Sequence, residues 1–174
     1  MRFPYQDYVN QVKRNALEVL ESVAPESESH TTLLFSAQIY PWFEVWKSCQ
    51  VWTSTKGDEA FARFSVWDKP FDSSRFHDPM QLVRYGISTE PRITERFGPF
   101  NDSEAKEVTR MVMSLTPDSL QLTSKRGIIL DGTQYQFRVP HISDKRLEWN
   151  LPSQLGADLS RVFQKIERLL AEKI

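Results

Sequence analysis

The stretch that decides the fold is "WKSCQVWTSTKGDEAFARFSVW", residues 46 to 67. Tryptophan stands at both ends, and Lys56 and Gly57 lie at the middle. Glycine in a two-residue connection supplies the positive φ that a tight hairpin requires, so the spacing predicts two antiparallel strands folded about that pair. Counting outward sets Trp52 opposite Phe61, Gln50 opposite Arg63, Ser48 opposite Ser65 and Trp46 opposite Trp67. One step further, Glu44 would meet Lys69. Each pair is chemically compatible, as cross-strand neighbours on one face should be. Alternation sends Phe43, Val45, Cys49, Val51, Ala62, Phe64 and Val66 to the opposite face, which is the cleaner core surface. A slip of one residue would mix the two sets, so the register is a sharp expectation.

The first of these faces poses the functional question. It gives Trp46, Trp52, Phe61 and Trp67 the same side of the sheet as Gln50 and Arg63. Aromatic rings and arginine dominate binding hot spots, because they bury large areas while keeping a polar handle. These six residues are therefore the candidate partner-binding surface. The competing reading is that the hairpin lies between two layers and buries both faces in the protein's own core.

Outward from the hairpin, Pro4 opens a helix expected to reach about Ala24, with Val9, Val12, Ala16, Val19, Leu20 and Val23 at helical spacing. "TTLLFSAQIY" then reads as a strand. From residue 69 to about 100, proline, charge and scattered aromatics predict an irregular excursion, with one short strand near "LVRYGIS". Asn101 and Glu104 form a capping box for a middle helix stopped by Pro117. "SLQLTS", "GIIL", "TQYQFRV" and "RLEWNLP" read as strands, the second and third joined at Asp131 and Gly132. Leu155, Leu159, Val162, Ile166, Leu169 and Leu170 stripe a C-terminal helix. The expectation is one α+β domain over residues 1–174. Its antiparallel sheet has about six or seven strands, packed with N-terminal, middle and C-terminal helices.

Composition narrows the function classes. The chain has 174 residues, 40% hydrophobic and 26% charged, ordinary proportions for a soluble globular domain. No stretch approaches the roughly 18 apolar residues of a membrane span, and the N-terminus turns polar too soon for a secretory signal. The net charge of −1 comes from 22 basic and 23 acidic residues, well interspersed. That argues against a nucleic-acid partner, which would call for a basic face. A single cysteine excludes an internal disulfide and a multi-cysteine zinc site, and cytoplasm is the default compartment.

Catalytic signals are sparse. "WDKPFDSSRFHD" gathers Asp68, Asp72, His77 and Asp78, a set that a loop could converge on a hard cation or use for acid-base work. The spacing matches no calcium loop, and Asp and Ser beside proline are ordinary turn formers. Cys49 has the parity of a buried residue and behaves there as a small hydrophobe. No glycine-rich phosphate loop, G-x-S-x-G or H-E-x-x-H occurs. No cofactor is expected. The reading is a non-enzymatic protein that binds a protein partner or a second copy of itself; the alternative is a metal-dependent or hydrolytic enzyme centred on residues 68–78. The order of elements is similar to the helix-strand-strand-strand-helix-strand-strand-helix plan of bacterial secretion chaperones. Size and the lack of a catalytic motif also resemble small immunity proteins. Both likenesses lie in plan alone, and imply binding by fold-level analogy.

Overall fold

The computed structural model describes residues 4–22, 31–41, 44–54, 60–77, 80, 88–115, 133–140, 143–149 and 154–172. In chain order these form α1 (Pro4–Glu21), β1 (Thr31–Pro41), β2 (Trp46–Ser54), β3 (Ala60–Trp67), α2 (Lys69–His77), β4 (Ile93–Phe100), α3 (Asp102–Met113), β5 (Thr133–Val139), β6 (Ser143–Trp149) and α4 (Gln154–Ala171). The strands make one antiparallel sheet in the order β4-β3-β2-β1-β5-β6. The class is α+β, as the sequence predicts.

The hairpin register is the expected one. Trp46 pairs with Trp67, Ser48 with Ser65, Gln50 with Arg63 and Trp52 with Phe61. The turn at Lys56 and Gly57 lies outside the described residues, as do the expected strands at 119–124 and 127–130 and nearly all of "LVRYGIS". Two expectations are corrected. Residues 69–100 hold a helix and a strand, α2 and β4, where an irregular excursion was anticipated. Lys69 opens α2, so it does not continue β3 toward Glu44.

Both corrections have local causes. Asp68 is the N-cap of α2: its Oδ1 accepts from the Phe71 N–H at 3.1 Å, and Pro70 sits in the first turn, where its missing N–H costs nothing. β4 carries Gly98 and Pro99, which read as breakers, yet β4 is a sheet edge, where proline is tolerated. Gly98 also lets β4 approach α4, since a Cβ there would stand 3.2 Å from Leu170 Cδ2. The middle helix keeps its predicted start, with the Asn101–Glu104 capping box fully formed.

One face of the sheet carries the main core. Phe35, Ala37, Cys49, Val51, Ala62, Phe64, Phe137 and Val139 pack there with Val108 and Val112 of α3 and Leu159, Val162, Phe163 and Ile166 of α4. Lys165 of α4 ion-pairs with Glu107 of α3 at 2.7 Å, tying the two helices together. The opposite face holds a second, smaller apolar cluster. There Val12, Ala16 and Leu20 of α1 cover Tyr40, Trp46 and Trp67. Helices thus lie on both faces, α3 and α4 on one and α1 over the middle strands on the other.

Candidate functional site

The aromatic and polar face of the hairpin is the face beneath α1. Trp46, Trp52 and Trp67 are 6%, 3% and 3% exposed, and Gln50 is equally buried. The expectation that this face stands open to a partner is therefore corrected for those four residues. An amphipathic N-terminal helix has its apolar stripe satisfied here, so the two-layer reading holds for the middle of the hairpin.

The mixture of residues follows the position of the helix above. Under its body the sheet is aromatic: Trp46 meets Trp67 edge-on at 4.8 Å and Tyr40 at 4.7 Å between ring centroids. Both indoles have hydrogen-bond partners. Trp46 Nε1 donates to the Pro41 carbonyl at 2.9 Å, and Trp67 Nε1 donates to Asp72 Oδ2 at 2.6 Å. Lys69 and Lys13 place their ammonium groups 5.1 and 5.5 Å from the Trp46 ring centre. Burial, with the Lys13 charge as a second cause, holds the Lys69 pKa below the ordinary lysine value.

Under the end of α1 the sheet turns polar, because a helix C-terminus presents carbonyls without intrahelical partners and a partial negative charge. α1 has no basic residue in its own last turn. The strands supply the donors instead. Ser48 Oγ donates to the Leu20 carbonyl at 2.7 Å, and Gln50 Nε2 to the Ser22 carbonyl at 2.8 Å. Arg63 Nη1 donates to the Ser22 carbonyl at 3.2 Å and to Ser22 Oγ at 2.9 Å. The same guanidinium ion-pairs with Glu95 of β4, which also accepts from Ser65 Oγ at 2.9 Å. Arg63, expected to contact a partner, is committed to capping α1.

Beyond the end of α1 the face becomes aromatic again. Phe97 of β4 is 54% exposed. Its ring stacks on half-buried Phe61 at 6.0 Å with an interplanar angle of 4°, and lies 6.5 Å from the Trp52 ring. Of the six residues chosen from the sequence, Phe61 and Trp52 therefore border an accessible aromatic surface, Trp52 from below. Phe97 was missed because β4 was read as irregular; alternation of Ile93, Glu95 and Phe97 was the available signal. No protein-family model, curated protein or solved structure matches this chain.

The acidic loop resolves into structural roles. Asp72 is buried; its carboxylate accepts from Trp67 Nε1 and from the Arg92 N–H at 2.8 Å, and faces Arg75 Nε at 3.3 Å. Asp68 caps α2, and exposed His77 turns its Nδ1 to the Ser73 carbonyl at 2.6 Å. Asp78 lies outside the described residues. Asp68, Asp72 and His77 do not converge, and the described residues contain no group of three or more His, Cys, Asp or Glu side chains arranged to hold a metal. Cys49 is fully buried, and burial pushes its thiol pKa far up, away from the thiolate a nucleophile needs. Among the described residues no helix is long and apolar enough to cross a membrane.

Proposed function

We propose that the protein works in the cytoplasm without catalysis, by binding another protein at the aromatic step formed by Phe61 and Phe97. One observation carries this reading: a phenylalanine more than half exposed, stacked on a second phenylalanine, at the edge of a sheet whose middle strands lie under α1. Contiguous exposed aromatic surface on a folded domain generally marks an interaction site. Beneath it Trp52 and the Arg63–Glu95 pair are fixed by the sheet and by α1, so the step is rigid before any partner arrives.

A photo-crosslinking phenylalanine analogue placed at position 97, compared with the same analogue at exposed Met113, tests the reading in the native host. A discrete adduct from position 97 and none from position 113 is the expected result. Equal adducts from both positions, or none from 97, would end it. A crosslinked dimer of the chain would assign the step to self-association.

A further inference from the structure

We infer that the partner docks as an extended segment adding a strand to the outer edge of β4, with alternate side chains on the Phe61–Phe97 step. This deepens the reading above and rests on it. In an antiparallel ladder, directly opposed residues alternate between pairs that exchange both main-chain bonds and pairs that exchange none. The Asp68 N–H donates to the Arg92 carbonyl at 3.0 Å, and this pair continues the β3–β4 register. Even-numbered residues of β4 therefore turn their main-chain groups to β3. Odd-numbered residues turn theirs outward.

Proline supplies an independent check. Pro99 falls at an outward position, where the absent N–H removes no ladder bond. Between it and the start of the strand, Glu95 and Phe97 are both exposed, and their main chains make no other hydrogen bond among the described residues. Two N–H and two C=O groups thus face outward, recurring every second residue, about 7 Å apart. Only another extended backbone matches that spacing, so the edge itself specifies the conformation of its occupant.

The side chains specify its chemistry. A docked residue opposite Phe97 shares its face and meets the aromatic step, which favours an apolar side chain there. A docked residue opposite Arg96 lies on the other face. Arg96 is half-buried and has no ion-pair partner among the described residues, which favours an acidic residue at that place. Pro99 closes one end of the edge, and the inward-facing Arg96 discourages indiscriminate pairing. The recognised segment is short and extended, with an apolar residue opposite Phe97 and a carboxylate next to it, opposite Arg96.

The test uses a labelled, capped eight-residue peptide alternating valine with threonine, one central threonine replaced by glutamate. Fluorescence anisotropy with the full chain should show saturable binding. N-methylation of the amides facing β4 should weaken it about tenfold or more, since each methyl removes a main-chain bond. Arg96→Glu should weaken the glutamate peptide several-fold and favour its lysine counterpart. Phe97→Pro should melt with Phe97→Ala, because that N–H makes no ladder bond, while binding the peptide several-fold more weakly than Phe97→Ala does. If N-methylation is harmless but Phe97→Ala still weakens binding, strand addition is wrong and the aromatic step stands. Absence of saturable binding overturns strand addition alone, because the crosslinking result at position 97 is independent of it. A parent dimer that Phe97→Pro dissociates would give the edge to a second copy and overturn the partner segment.

Discussion

Arg63 joins three elements through one guanidinium: it lies on β3, pairs with Glu95 on β4 and donates to the end of α1. Replacing it with methionine keeps the stem but leaves the Ser22 carbonyl with Gln50 alone as donor among the described residues and takes the cation from Glu95. Urea unfolding should show a loss of about 1–3 kcal/mol. Arg63→Lys should recover only part of it, because one ammonium cannot serve the carboxylate and the helix end in the same planar fork. Trp46→Ala should cost about 3–5 kcal/mol, as truncating a large buried ring does. A melting temperature unchanged by that substitution would mean α1 does not cover this face. Cys49 makes a kinetic prediction. A thiol reagent should label it only as fast as the sheet opens, and labelling should accelerate with denaturant in step with unfolding.

At the scale of elements, α4 is the helix most deeply committed to the core. Ile166 is fully buried against the sheet, so Ile166→Asp should destabilise the fold by roughly 4 kcal/mol or more, the range for burying an unpaired charge. Its stripe was legible because helical spacing of Leu159, Val162, Ile166 and Leu169 has no competing period. The β2–β3 register was legible for a similar reason: a single turn choice made every cross-strand pair agree. What the sequence concealed was the occupant of each face. Nothing local to Ser48, Gln50 or Arg63 says that helix-end carbonyls twenty-eight or more residues upstream need their donors, so polar groups beside tryptophan look like a docking surface. β4 was hidden by the chemistry of edges. Its Gly98 and Pro99 are breakers in a central strand and harmless at a margin, and a sequence does not announce which strand is the margin. α2 was signalled by Asp68 and Pro70, but a nine-residue helix with a weakly apolar face is hard to tell from a loop.

For the molecule as a whole, two cations share one ring beneath the α1 layer. Lys69 titrates in the fold at a lower pH than in the unfolded chain, so in the window below the ordinary lysine value the unfolded state binds more protons. Stability must then rise with pH across that window as the fold sheds the burial and Lys13 penalties. Relative to Lys69→Met, the parent should gain stability between neutral and alkaline pH, read from paired urea titrations; a constant difference would show that the ammonium is well solvated. The capping of α1 by distant strands also has a consequence in time. During synthesis α1 leaves the ribosome well before Arg63, and at bacterial or eukaryotic elongation speeds the gap is on the order of two to eight seconds. Most of the stability of an amphipathic helix in a protein comes from packing its apolar face. For those seconds Val12, Ala16 and Leu20 have no sheet to cover, and the nascent chain carries a sticky, half-formed α1 that only later strands can quiet.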